Sequence, residues 1–412
     1  MNRDSNIYVA GHKGLVGSAI WRCLWNKGYR NLTGRTLEEL DLRDPAAVSA
    51  FFQQEKPEYV FLAAARVGGI VANNTYRAEF IYDNLMIQNN IVHQSFLSGV
   101  KKLLFLGSTC IYPRDCPQPM KEEYLLSSPL EYTNEPYAIA KIAGIRLCES
   151  YNIQHGTNFL AVMPTNLYGP NDNFDLEKSH VLPALLRKIH LGRCLESNDW
   201  AAIRADLDKR PVHGVSGGAS EGEILKVLQQ YGVGWQDGGA SEGEIRQVLQ
   251  PDGVSRQDVV ATDGETQPVP EQYGAGRQGG QSSLRGRVVV EIWGSGKPLR
   301  EFLWSEDMAE ACVFVMEHVN FEQLVREKEE VRNTHINIGT GIEVSVRELA
   351  SLIREIVGFG GELVFDTGKP DGTMRKLTDP TKLNNMGWRH SVNLEEGIQR
   401  LYAWYLNEAR SD

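Results

Sequence analysis

Three glycines, Gly11, Gly14 and Gly17, stand between two apolar segments, and this arrangement restricts the fold more than any other stretch of the chain. Before them, Asn6-Ile-Tyr-Val-Ala10 suits a short buried strand. After them, Ser18-Ala-Ile-Trp-Arg-Cys-Leu-Trp25 carries apolar residues at helical spacing and stops near Gly28. The connecting turn, Gly11-His12-Lys13-Gly14-Leu15-Val16-Gly17, is a dinucleotide-binding turn. Glycines let the backbone come close to a pyrophosphate, and the helix start offers free N–H groups and partial positive charge. A strand, such a turn and a helix begin a doubly wound parallel sheet.

The next strand is weak, Asn31-Leu-Thr-Gly34, and ends in Arg35. An acidic group near this point would hold a ribose 2′-hydroxyl, whereas a guanidinium suits a 2′-phosphate. Arg35, with Lys13 inside the turn, therefore points to NADP, although either could be a solvated surface cation. Asp41 and Leu42 are placed to flank the adenine. Further buried strands follow at Tyr59-Val-Phe-Leu-Ala-Ala-Ala65 and Lys102-Leu-Leu-Phe-Leu106, with a helix from about Phe80 to Ser98 between them. The second strand delivers Gly107, Ser108, Thr109 and Cys110 at its carboxyl end, the edge where ligands sit in open parallel sheets.

Asn134-Glu-Pro136-Tyr137-Ala-Ile-Ala-Lys141 reads as a helix start, because Pro136 suits a first turn and Ala-Ile-Ala favours helix. Four-residue spacing puts Tyr137 and Lys141 on one face. An ammonium beside a phenol would lower the phenol's pKa toward neutrality and make it a usable acid or base. Alone, such a pair equally describes a solvated helix face. Ser108, Tyr137 and Lys141 are expected in one crevice: Ser108 to orient a carbonyl, Tyr137 to move a proton, Lys141 to tune Tyr137 and grip ribose.

Composition narrows the setting. The 412 residues, 42% hydrophobic and 23% charged, are enough for two domains and a large core. A net charge of −10 argues against a nucleic-acid surface. No apolar run approaches the ~18 residues of a membrane span, and the polar start is not expected to act as a secretion signal. Six scattered cysteines without a Cys-x-x-Cys pair suggest reduced thiols in a cytoplasm. No residues are assigned to a metal.

With Gly11-x-x-Gly14-x-x-Gly17, Ser108 and Tyr137-x-x-x-Lys141 in this order, the chain resembles the extended short-chain dehydrogenase/reductases. Phe159-Leu-Ala-Val-Met163, Pro164-Thr165-Asn166-Leu167-Tyr-Gly-Pro170, Arg300-Glu-Phe-Leu303 and Asn337-Ile-Gly-Thr-Gly341 continue the likeness. Val67-Gly-Gly-Ile-Val-Ala-Asn-Asn-Thr75, Ser108-Thr-Cys-Ile-Tyr-Pro113, Trp293-Gly-Ser-Gly296 and Lys369-Pro-Asp-Gly-Thr373 narrow it to members that epimerise and reduce a GDP-linked keto sugar. It covers most of residues 5–190 and 287–405.

The resemblance implies an NADPH-dependent enzyme acting on GDP-4-keto-6-deoxy-mannose, and a homodimer joined through helices near 80–98 and 137–153. It also implies a cofactor shell extended by Leu106, Gly107, Pro164, Thr165, Asn166, Leu167 and His180. For the nucleotide sugar it implies Asn166, Lys188, Trp293, Arg300 and Asp371. Cys110 and His180 match the family's epimerisation pair, and both side chains titrate near neutral pH. Read without the family, Cys110 equally suits a small buried hydrophobe and His180 a helix cap. Trp293 equally suits a core aromatic.

Between 193 and 287 the likeness stops. Gly217-Gly-Ala-Ser-Glu-Gly-Glu-Ile224 recurs unchanged at 238–245, and a faded earlier copy runs from Ile203 and Leu207 to Gly214-Val215. One helix per copy, such as 221–230, followed by a glycine turn is expected. The stretch 262–287, rich in Gly, Gln and Pro, reads as a linker. A partly ordered surface insertion, dispensable for catalysis, is the expectation, with a docking module for a partner as the alternative.

The expected architecture is α/β: a cofactor-binding sheet domain over 1–192, with the first substrate-domain segment from about 165, the repeat insertion over 193–287, and the remaining substrate domain over 288–412. Two rival functions stay open. One is another nucleotide-sugar enzyme of this fold, either a 4-epimerase or a 4,6-dehydratase; the dehydratases would want an acidic pair where Cys110-Ile111 stands. The other is a non-catalytic scaffold, which would not need Ser108, Tyr137 and Lys141 together.

Overall fold

The computed structural model describes residues 1–236, 287–326 and 329–408, leaving aside the side chains of Ile70 and Val71. The second repeat copy and most of the stretch 262–287 lie outside the described residues.

The N-terminal half alternates strand and helix. It runs β1 (Ile7–Ala10), α1 (Leu15–Asn26), β2 (Leu32–Thr33), α2 (Pro45–Glu55), β3 (Tyr59–Leu62), α3 (Ile70–Thr75), α4 (Arg77–Leu97), β4 (Lys102–Leu106), α5 (Glu135–His155) and β5 (Phe159–Pro164). These strands and the later β10 form a six-stranded sheet in the order β10-β5-β4-β3-β1-β2, with every pairing parallel. The central strands are buried along their length, which is why they read as continuous apolar runs. Chain order reverses between β1 and β3, so the crevice at their carboxyl ends is the natural ligand position.

β6 (Asn166–Tyr168) then leads to α6 (Val181–Glu196), α7 (Trp200–Lys209), α8 (Glu221–Gln230) and β7 (Val233–Trp235). β8 (Val288–Trp293), β9 (Leu299–Trp304), α9 (Ser305–His318), α10 (Phe321–Val325) and β10 (Ile336–Ile338) follow. The chain closes with β11 (Glu343–Ser345), α11 (Val346–Val357), β12 (Glu362–Asp366), β13 (Arg375–Lys376), α12 (Thr381–Asn385) and α13 (Leu394–Glu408). One small sheet is β12-β8-β7. In the other, β9 is flanked by β11 and β13 and also pairs with β6. Three apolar cores result: one on each face of the large sheet, and a third between α6, α11, α13 and the β12-β8-β7 sheet.

The expectation of a surface insertion from 193 fails for the part that is described. Ile203 and Leu207 of α7, Ile224, Val227 and Leu228 of α8 and Val233 of β7 are all buried in that third core. Helix α8 has the expected bounds and is capped by Ser220, whose Oγ accepts from Glu223 N while the Glu223 carboxylate accepts from Ser220 N. Gly232 turns the chain with φ 75°, and β7 adds to β8 antiparallel. The first repeat copy is thus structural: its apolar stripe found a partner in the body of the protein.

Candidate active site

Gly11 ends β1 with φ 81°, and a Cβ there would lie 2.8 Å from Ala64 N. At Gly17 a Cβ would lie 2.1 Å from Gly11 O, so only glycine allows the turn to fold this tightly. Gly14 caps α1 in extended conformation and presents the helix start. This cradle fits a pyrophosphate, with the N–H groups of the first turn of α1 free to receive it. His12 packs beneath Gly34, and its pKa is lowered by burial and by neighbouring Lys13. Arg35 reaches the same corner but pairs with Glu55 at 2.7 Å. Asp41 is clasped by Arg43, whose Nε and Nη2 donate to its two oxygens at 2.9 and 2.7 Å, while Leu42 is buried behind it.

At the end of β4, a Cβ on Gly107 would strike the Met163 side chain at 2.2 Å. Ser108 follows and begins a single 3₁₀ turn, its Oγ accepting from Cys110 N at 3.4 Å. Lys141 is buried on α5 and donates to Leu106 O at 2.8 Å, which pins that helix to the carboxyl end of β4. Ser108, Cys110, Tyr137 and Lys141 therefore meet at one sheet edge, as their order in the chain implied. Thr165 N donates to Ile338 O at 3.0 Å, continuing from Pro164 at the end of β5. Asn166 and Leu167 begin β6, which pairs with β9.

The electrostatics differ from the expected tyrosine–lysine couple. The Lys141 ammonium lies 5.7 Å from the Tyr137 ring centroid and 4.8 Å from that of Phe105. Burial pushes the Tyr137 phenol up, and Cys110 adds to the rise. The lysine is turned toward a backbone carbonyl, so the cost of desolvating a phenolate outweighs its attraction. Lys141 itself is lowered by burial to about 8. The Cys110 thiol is raised by burial, against the pull of Ser108, Lys376 and Lys141.

His180 precedes α6 as its N-cap residue but makes no side-chain cap bond, so its imidazole is not spent on the helix. His180 is exposed, and the protein neighbouring it lowers its pKa. A Cβ on Gly69 would sit 3.3 Å from Lys178 O, so the loop after β3 leans on the segment leading to His180.

Of the residues expected at a nucleotide sugar, Lys188 donates to Glu291 O at 3.3 Å and is lowered by burial to about 8. Arg300 is partly buried; its Nη1 donates to Leu299 O at 2.7 Å and to Thr373 O at 2.6 Å. Trp293 is 59% exposed with Lys369 Nζ 5.2 Å from its ring, so it is no core aromatic. Asp371 accepts from Ser295 N at 2.8 Å and from Ser295 Oγ at 2.6 Å, bracing the turn after Trp293. One further cation was not anticipated. Lys376 on β13 stands opposite Arg300 in register and within electrostatic reach of Cys110, Cys116 and Glu131. Its position three residues past Lys369-Pro-Asp-Gly-Thr373 was the available signal. Among the described residues no His/Cys/Asp/Glu group could hold a metal ion.

A parallel sheet with a glycine cradle at its switch point and a serine, tyrosine and lysine at its carboxyl edge defines a dinucleotide-dependent enzyme of carbonyl chemistry. The chain matches the NAD dependent epimerase/dehydratase family over residues 7–206 and 278–339, and it belongs to that family. It is similar to the GDP-L-fucose synthase of Escherichia coli (strain K12), 42% identical over 97% of this chain and 96% of the relative. Two solved structures from Campylobacter jejuni are also similar. A GDP-6-OMe-4-keto-L-xylo-heptose reductase is 41% identical, covers 99% of both chains and has a TM-score of 0.81. A GDP-D-glycero-L-gluco-heptose synthase, solved in the presence of NADPH, is 40% identical over 98% of this chain and 99% of its own, with a TM-score of 0.80.

Proposed function

We propose that this protein converts GDP-4-keto-6-deoxy-mannose to GDP-L-fucose, inverting C3 and C5 of the sugar and reducing the C4 ketone with NADPH. The observation that carries the reading is Cys110, which stands two residues after Ser108 and within electrostatic reach of Tyr137 and Lys141. A proton-transfer group for epimerisation thereby shares a crevice with the set that reduces a ketone.

The C4 ketone makes the protons at C3 and C5 removable, and inversion requires one group to take a proton and another to return one on the opposite face. Cys110 and His180 are the candidates. The Cys110 thiol is raised and the His180 imidazole lowered, so the neutral form of each is favoured. Ser108 orients the C4 oxygen, and Tyr137 O–H donates its proton to that oxygen. Bound NADPH supplies the hydride; Gly11, Gly14 and Gly17 would hold its pyrophosphate, and Lys13 and Arg35 its 2′-phosphate. Asn166, Lys188, Arg300 and Lys376 would hold the nucleotide sugar, with Trp293 against its base or ring.

Six free cysteines support a reducing, cytoplasmic setting, and among the described residues no helix is long and apolar enough to cross a membrane. A homodimer through α4 and α5 is supported by exposed Tyr82, Leu97, Ile139 and Ile153 on those helices. The substrate domain in this reading takes in residues up to 236 as well as the segment after 287.

NADPH oxidation with GDP-4-keto-6-deoxy-mannose, followed by identification of the sugar, tests the reading; formation of GDP-L-fucose is expected. A second reading, reduction of a GDP-linked keto-heptose, draws on the two Campylobacter relatives. Higher kcat/KM for the heptose in a parallel assay would favour it.

A further inference from the structure

Arg300 and Lys376 stand side by side on paired strands, ~4.8 Å apart in the hydrogen-bonding direction. Strand alternation turns the next residue, Glu301, away from them and into the interior, where it is fully buried. No cation pairs with this carboxylate among the described residues. Instead it is enclosed by donors from two separate segments. Its Oε1 accepts from Thr340 N at 2.6 Å, Gly341 N at 2.8 Å and Thr340 Oγ1 at 3.2 Å. Its Oε2 accepts from Thr378 N at 2.8 Å. A Cβ on Gly339 would lie 2.4 Å from Oε1, so the glycine of Asn337-Ile-Gly-Thr-Gly341 is there to admit the carboxylate. The backbone of the same residue holds a third element, because Asn166 Nδ2 donates to Glu301 O at 2.8 Å.

A buried carboxylate is tolerated when donors replace its water, and the donors must then stay in place. Thr378 lies two residues beyond Lys376, and Glu301 is adjacent to Arg300. We propose that Glu301 is a positioning residue for the diphosphate of the nucleotide sugar: by tying Thr378 and the 340–341 turn to β9, it sets the spacing of Lys376, Arg300 and Asn166. This rests on the GDP-sugar reading above. Glu301 touches neither substrate nor cofactor; it acts through the three residues it aligns.

Glu301→Gln turns one oxygen into an N–H donor and sets it against N–H groups of Thr340 and Gly341 or of Thr378, leaving one side unpaired. Gly339→Ala reaches the same carboxylate from the other side. The probes are GDP and NADPH by calorimetry, with steady-state kinetics per active site and thermal unfolding in parallel. Each variant is expected to bind GDP and to show KM for the GDP-sugar about tenfold worse, with NADPH affinity and kcat little changed. The double variant is expected to be no worse than the weaker single one, since both act on one contact. Wild-type GDP affinity in both folded variants would overturn the proposal. So would equal losses in NADPH affinity and kcat, or failure of both variants to fold, because those mark a purely structural role. If the unaltered protein did not bind GDP, the substrate reading itself would fall and the positioning role with it.

Discussion

Arg187 of α6 and Asp206 of α7 form an ion pair in which each side chain is 1% exposed, with Arg187 Nη2 2.8 Å and Nε 2.9 Å from Asp206 Oδ2. Arg187 also donates to Phe174 O at 3.1 Å, and Tyr405 O–H donates to Asp206 Oδ1, so the pair joins α6, α7 and α13. Removing one partner strands a charge in the core. Asp206→Ala is expected to lower stability by about 3–5 kcal/mol in urea unfolding. Excision of 195–286 would take this partner together with Ile224 and Leu228 and is expected to yield no soluble fold. Gln236 N donates to Arg287 O at 2.9 Å, so the two chain ends already sit at hairpin distance. Replacing 237–286 with Asn-Gly should close β7 onto β8 and leave both melting temperature and activity near normal.

Tyr137→Phe removes the proposed proton donor and leaves Cys110 and His180 unaltered. Reduction is expected to fall by about 10²–10⁴-fold while solvent deuterium still enters the sugar at C3 and C5. Cys110→Ser and His180→Gln should show the reverse balance. Deuterium incorporation read by mass spectrometry separates the two halves; reduction at the normal rate in Tyr137→Phe would break the scheme.

Burial pushes Lys188 down to about 8, and burial with Arg300 nearby also lowers Lys376. An arriving diphosphate favours the charged forms and raises both values. Well below pH 8 a protonated Lys188 binds the ligand without proton exchange; above it, binding draws a proton from solvent. Calorimetry in buffers of differing ionisation enthalpy should find proton uptake on GDP binding near pH 8–9, with affinity falling as pH rises further. No uptake in that window would mean that Lys188 does not face the ligand.

Arg35 and Glu55 form a half-exposed pair at the corner where a 2′-phosphate would sit. Arg35→Asp is expected to weaken NADPH far more than NADH, whereas Glu55→Gln frees the guanidinium and should tighten NADPH a few-fold at low salt. Fluorescence titration with both cofactors checks the pair, and equal losses for NADPH and NADH in Arg35→Asp would remove it from the phosphate site.

Much of the placement of residues at this sheet edge was legible in the sequence because it rests on short-range rules. Gly11 and Gly17 are required wherever a strand turns this tightly into a helix, and Tyr137 and Lys141 share a helix face through spacing alone. Parallel strands then bring residues after β1, β4 and β5 to one edge, so chain order sufficed to group Ser108 with Tyr137. The helix 221–230 was equally plain from its apolar Ile224, Val227 and Leu228. Its setting was not, since an apolar stripe does not name its partner: only packing showed that Ile224 and Leu228 complete the core beside α6. Burial also raised Tyr137 where its neighbour Lys141 suggested the opposite, because desolvation depends on everything that surrounds a group. Glu301 and Lys376 were hidden for a related reason. Their partners, Thr340, Thr378 and Arg300, are dozens of residues away and meet them only when β9, β11 and β13 assemble.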